Sequence, residues 1–233
     1  MENKFGISSN QLKILALISM TIDHIGLMLF PDILVLRIIG RLAMPIFAYL
    51  IAEGCLHTSN SLKYFLRIFI LGIFCQVVYL ISDNGNIINI LLDFSISIII
   101  ISCIQRIKKS NNAKSKTLWI LLAVFIVIAT AVACNLMPRL TKKRWTFDYG
   151  FFGIMLPVLV YLFKNRWLKL IGVSVCMIMI WLLYKWVFWC GVFATIPLAL
   201  YNGKRGRYNI KYLFYLYYPL HLGIIYIIKL III

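Results

Sequence analysis

The chain has 233 residues, 63% of them hydrophobic, with 24 basic against 7 acidic side chains and a formal charge of +17. Soluble domains run at roughly 45–50% apolar, so this composition, with a mean hydropathy of +0.94, excludes a water-soluble globular protein and indicates an integral membrane protein. The charge does not mark a nucleic-acid binder, because no basic soluble face exists to carry it; it reads as a topology signal.

Apolar runs long enough to cross a hydrocarbon core of about 30 Å as a helix predict spans at 12–30, 33–56, 62–81, 87–104, 117–137, 147–163, 167–183, 186–201 and 212–233. The expected fold is therefore all-α, a polytopic bundle of about nine transmembrane helices forming a single domain over residues 1–233. The first run follows Lys4 and Lys13 as a signal peptide's would. It is too long for one, carries Asp23 and His24, and has no small-residue cleavage site, so it is expected to stay as the first helix. Only Tyr184, Lys185 and Trp186 separate the seventh and eighth runs, which can equally form a broken hairpin. Cys55, Cys75, Cys103, Cys134, Cys176 and Cys190 are scattered without the close pairing of metal or redox motifs, and read as packing residues.

Lys and Arg in short loops stay cytoplasmic. A cytoplasmic N-terminus places three clusters inside: Arg106, Lys108, Lys109, Lys114 and Lys116; Lys164, Arg166 and Lys169; and Lys204, Arg205, Arg207 and Lys211. It places the base-free "SDNGN" (82–86) and "PD" (31–32) outside. The loop "PRLTKKRWTFD" (138–148), with Arg139, Lys142, Lys143 and Arg144, falls outside against the rule. Either a span is miscounted near it, or the loop has a task that overrides the bias. Trp119, Trp145, Trp167, Trp186 and Trp189 lie near span ends, as an interfacial belt requires.

The polar residues inside the spans carry the functional signal. A charge near the bilayer centre costs about 2.5–3.5 kcal/mol, so Asp23, Arg41, Glu53 and Asp93 must face each other or water. The first two spans form a tight antiparallel hairpin around "PD". Asp23 and His24 then lie about 10 Å below its outer end, at 1.5 Å per residue, with Arg41 at similar depth on the returning helix. Arg37, at i and i+4 from Arg41, shares its face one turn nearer the surface; taken alone it also reads as an interfacial arginine whose side chain snorkels to the membrane surface. Pro45 removes a helical hydrogen bond from the Arg41 carbonyl and predicts a bend. Imidazole is the side chain best suited to proton transfer near neutral pH, so His24 is the first candidate base and His221, in "YYPLHLG" beyond Pro219, the second. His57 reads as a loop residue, Glu53 as a helix end or a site residue, and Asp148 as a cap of the sixth helix or an acceptor contact. An ion-pair network that only fixes helix register is the structural alternative for the whole cluster.

The stretches "LKILALISMTIDHIGLMLFPD", "LRIIGRLAMPIFAYLIAEGCLHT", "KYFLRIFILG", "FDYGFFGIMLPVLVYLF" and "IKYLFYLYYPLHL" resemble, in order and over nearly the full chain, the TraX family, whose founding member N-acetylates conjugative pilin. The resemblance implies that Asp23, His24, Arg37, Arg41, Glu53, Asp148 and His221 form a site, and that the chain is a membrane-bound, acetyl-CoA-dependent acyltransferase of a bacterial inner (plasma) membrane. In that scheme His24 is the general base, Asp23 orients or charge-stabilises it unless each faces a different partner, and Arg41 stabilises the oxyanion. Arg37, Glu53, Asp148 and His221 then contact substrate or coenzyme A. The partners are the lipid bilayer, coenzyme A and a peptide, glycan or lipid acceptor, with no metal and no nucleic acid. The competing expectation is a proton- or anion-coupled transporter whose buried charges line a pathway.

Overall fold

The computed structural model describes residues 6–81, 87–142, 145–207 and 211–232; the side chains of Trp186 and of residues 211–213 are likewise outside the description. The "SDNGN" segment, Lys4, Lys143, Arg144 and the Lys211 side chain therefore fall outside the described structure. The fold is an all-α helical bundle. Seven described helices are long and apolar enough to cross a membrane. The chain divides into two compact units, Met1–Leu50 with Phe163–Ile233, and Ile51–Leu162.

The first unit is built on α1 (Ser9–Met28), α2 (Leu34–Gly40) and the opening of α3 (Ala43–His57). A capping box opens α1: the Ser8 side chain accepts from the Gln11 N–H while the Gln11 side chain accepts from the Ser8 N–H, so two N-terminal amides are satisfied reciprocally. The predicted second span is one 24-residue run, 34–57, but it is broken at Arg41–Leu42. Pro45 is the third residue of α3, where a missing N–H costs nothing. The expected bend is thus a break that ends α2 beside Arg41. The later elements of this unit are α8 (Arg166–Tyr184), a 3₁₀-helix (Trp186–Ala194), α9 (Thr195–Ala199) and α10 (Lys211–Ile232). α1 packs on α2 and α10, and the 3₁₀-helix packs on both α2 and α8.

The second unit holds α4 (Ser61–Ile81), α5 (Ile90–Lys109), α6 (Ala113–Leu140) and α7 (Gly150–Leu162). α5 is the hub, touching α4, α6 and α7 and burying Phe94, Ile98, Ile100 and Ile101. Small polar groups tie the helices together: Ser97 Oγ donates to the Ile154 carbonyl at 2.6 Å, and Gln105 Nε2 to the Cys55 carbonyl at 2.7 Å. Two-residue strands, β1 (Ile87–Ile88) and β2 (Thr146–Phe147), pair in parallel. They bring the starts of α5 and α7 to one end of this unit. Leu118, Leu121, Phe125 and Ile128 on α6 face outward, an apolar surface that hydrocarbon accommodates and water does not.

Two predicted spans differ in kind from the rest. The sixth (147–163) contains only the 13-residue α7, about 20 Å of helix, short of a bilayer. The eighth (186–201) is a nine-residue 3₁₀-helix followed by a five-residue α-helix, entered through Lys185 at φ 60°. Aromatic and β-branched residues fill "WVFWCGVF", and they favour a regular α-helix less than leucine does. α6, in contrast, is continuous over 28 residues. Arg139 and Lys142 therefore lie at the opposite end of this unit from Lys114 and Lys116, so no span is miscounted across α6. Of the six cysteines, only Cys134 is not buried, and all six are free thiols.

Candidate functional site

Asp23 on α1 is clamped by both arginines of the returning chain. Arg37 Nη1 lies 2.7 Å from Asp23 Oδ2 and also donates to the Asp23 carbonyl at 2.8 Å. Arg41 Nη2 meets both carboxylate oxygens at 2.7 Å. The Arg41 side chain is 3% exposed and that of Asp23 13%, so these are desolvated pairs whose charges interact far more strongly than in water. Two cations against one anion leave this triad with a net positive charge.

Three small residues make the clamp possible. A Cβ on Gly40 would land on the Asp23 carboxyl group, and one on Gly26 would meet Leu36 Cβ at 2.8 Å and Arg37 Cδ at 3.3 Å. Ser19 Oγ donates to the Ile39 carbonyl at 2.5 Å, which also accepts from the Leu42 N–H at 3.3 Å, so α1 is tied directly to the last turn of α2. On the far side, the Arg41 guanidinium sits 5.1 Å from the centre of the Phe188 ring, a cation–π contact that uses the 3₁₀-helix as a wall.

His24, next to Asp23, faces a different partner. Its Nδ1 lies 2.8 Å from Nε2 of His221 on α10, and both rings are buried. His221 Nδ1 is 3.0 Å from the Tyr217 carbonyl. A carbonyl only accepts, so His221 carries its proton on Nδ1; in the neutral ring Nε2 is then an acceptor, and His24 must donate from its own Nδ1. The chain of bonds assigns the remaining lone pair of His24 to Nε2. Tyr217 stacks on His221 with ring centres 5.3 Å apart. Its hydroxyl meets Thr21 Oγ1 at 2.8 Å. Because Thr21 donates its one proton to the Leu17 carbonyl, Tyr217 is the donor in that pair, and α10 is pinned to α1 one turn from His24. His24 is within electrostatic reach of Arg37 and Arg41.

The structure thus joins five of the seven expected residues, Asp23, His24, Arg37, Arg41 and His221, within the first unit. Asp23 and His24 serve separate partners, and a histidine rather than a carboxylate contacts His24. Glu53 and Asp148 belong to the second unit. The Glu53 carbonyl meets His57 Nδ1 at 3.0 Å, and Asp148 lies beside Asp93, which is fully buried on α5. Gly40, Ser19, Tyr217 and Phe188 escaped the sequence reading. Gly40 left a trace, a lone glycine in "RIIGRL"; Tyr217 left none apart from its place one turn before His221.

A helical bundle with a desolvated arginine–aspartate clamp and a histidine pair between its helices defines a multi-pass membrane protein with an intramembrane polar centre. The family model described as TraX protein matches residues 8–229, and the chain belongs to the TraX family. It is similar to the probable fimbrial assembly protein FimC, serogroup H1, of Dichelobacter nodosus, at 24% identity with 97% of each chain covered. A stretch of 66 residues is 44% identical to the uncharacterized protein RP591 of Rickettsia prowazekii (strain Madrid E), covering 28% of this chain and 25% of that one. No solved structure matches.

Proposed function

We propose that this protein is a membrane acetyltransferase that moves an acetyl group from acetyl-CoA to an amine or hydroxyl of a membrane-associated acceptor, with its N-terminus in the cytoplasm of a bacterial cell. The observation that carries the reading is the His24–His221–Tyr217 chain, which fixes one imidazole tautomer beside two buried guanidinium groups. The fimbrial-assembly name of a full-length relative favours a pilus subunit as acceptor over a glycan or a lipid.

A thioester is already activated, so the protein has to deprotonate the attacking group, stabilise the oxyanion and hold the reactants together. His24 Nε2 takes the proton of the acceptor as its nitrogen or oxygen bonds to the acetyl carbonyl carbon. His24 becomes cationic, and the His221 Nε2 lone pair keeps its Nδ1–H in place. The negative charge that develops on the acetyl oxygen is drawn to the surplus positive charge of the Arg37–Arg41 pair. When the C–S bond breaks, the leaving thiolate collects the proton from His24, giving the acetylated acceptor and the free thiol of coenzyme A.

The test is thiol release from acetyl-CoA by the purified protein in lipid nanodiscs, with and without a peptide amine. Wild type releases thiol only when acceptor is present, and His24→Ala releases none while inserting normally. Thiol release unchanged in His24→Ala removes that residue from the chemistry. Absence of release from wild type with amine and hydroxyl acceptors alike returns the site to the transporter reading.

A further inference from the structure

The polar centre of the first unit is enclosed. His24, Arg37, Arg41 and His221 are each 7% exposed or less, so a reactant reaches them only when a neighbouring element moves aside. Two ion pairs hold α2 to α1. The histidine pair and the Tyr217–Thr21 bond hold α10 there. The 3₁₀-helix (Trp186–Ala194) meets the clamp differently, through apolar surface and close backbone approach. Its Phe188 ring covers the Arg41 guanidinium, and an added Cβ at Gly191 would stand 3.2 Å from the Arg41 carbonyl oxygen.

This wall also has irregular backbone. A 3₁₀-helix seldom runs beyond three or four residues, because its hydrogen bonds are poorly aligned, whereas this one runs for nine. It is entered through Lys185, whose φ of 60° and ψ of -109° strain an L side chain and suit a glycine. The other end is relaxed: Ala194 and Thr195 have right-handed helical backbone and lead straight into α9. An α-helix turns about 100° per residue and a 3₁₀-helix about 120°. Rewinding the segment as α-helix from a relaxed Lys185 turns Phe188, three residues on, by about 60°, and shortens the nine residues by about 4.5 Å. Either movement takes the ring off Arg41.

We infer that residues 186–194 form a gate over the arginine clamp, hinged at Lys185. Wound as a 3₁₀-helix, the gate lays Phe188 on Arg41; rewound as an α-helix, it admits a reactant to the polar centre. The inference takes the identity of that reactant from the acetyl-transfer reading, but the gate itself is measured without turnover. The full-length protein in lipid nanodiscs is exposed to N-ethylmaleimide, and alkylation of each native cysteine is followed by peptide mass spectrometry. Cys190 in the gate and Cys176 on α8 are equally buried, at 1% and 0% exposed, so the closed state protects them alike. Opening of the gate uncovers Cys190 alone, and its alkylation is expected to be at least about tenfold faster than that of Cys176. Lys185→Gly relieves the strain of the closed state and should slow Cys190 by about 5–30-fold, the factor that one left-handed residue carries. Lys185→Ala removes the same side chain but keeps the strain, and should leave Cys190 within about twofold of wild type.

Equal alkylation of Cys190 and Cys176 in the wild type overturns the gate. So does a Cys190 rate that is unchanged or raised in Lys185→Gly, or lowered as much in Lys185→Ala. Thiol release by wild type with kcat/KM for acetyl-CoA undiminished in Lys185→Gly sinks the gate and leaves acetyl transfer standing. Strain-dependent protection of Cys190 with no thiol released to any acceptor does the reverse.

Discussion

Replacing Asp23 with Asn removes the anion from a triad that is otherwise two buried guanidinium groups. At 2.7 Å from each arginine, and with an effective dielectric constant of about 20, the gross attraction is about 6 kcal/mol per pair. Most of that repays the cost of taking the charges out of water, and the measurable quantity is the stability lost when one partner is deleted, about 3–5 kcal/mol. For a chain of this length about 1 kcal/mol corresponds to roughly 2–4 °C, so Asp23→Asn is expected to lower the melting temperature by roughly 6–20 °C. The assay is thermal unfolding of the detergent-solubilised protein followed by size-exclusion chromatography. A cycle with Arg41→Gln isolates the pair: the double variant sheds one of the stranded cations and should be more stable than the sum of the single losses by at least about 1 kcal/mol. A shift below about 2 °C for Asp23→Asn, or strict additivity in the cycle, would refute the claim that this clamp is desolvated and coupled.

Gly40→Ala drives a methyl group into the Asp23 carboxyl, so it should reproduce most of the Asp23→Asn destabilisation in the same assay although it changes no charge. His221→Ala is expected to slow thiol release by about 10²–10³-fold, the scale of a misplaced general base, while Tyr217→Phe keeps the carbonyl that holds His221 and should stay within severalfold of wild type in initial-rate measurements. Arg41→Ala should lower activity far more than Lys109→Ala, and the opposite order would move the chemistry to the cytoplasmic surface.

The sequence revealed the clamp because charge in an apolar run is costly and a tight hairpin fixes register. Counting residues from the "PD" turn put Asp23 and Arg41 at similar depth and Arg37 one turn nearer the surface on the same face as Arg41, and the structure joins both arginines to Asp23. The break after Arg41 was foreshadowed by Pro45, although the proline sits harmlessly in the first turn of α3 rather than kinking a continuous helix. The pairing of His24 with His221 could not be counted in this way. The two lie 197 positions apart, and their meeting depends on how α10 packs on α1, which hydropathy does not encode. The eighth predicted span failed as a regular helix for a local reason, since hydropathy measures transfer into lipid and is blind to the tighter 3₁₀ turn of 186–194. The parallel contact of 87–88 with 146–147 was hidden because two-residue strands carry no periodic signal.

The central claim, that the imidazole of His24 activates an acceptor for acetyl transfer inside the membrane, is tested most directly by mass spectrometry of membrane polypeptides and glycolipids from cells expressing either the wild-type protein or His24→Gln at equal abundance. The account predicts an acetyl mark on a membrane-associated amine or hydroxyl that is present with wild type and absent with His24→Gln. The same acetylation pattern in both cells would contradict it.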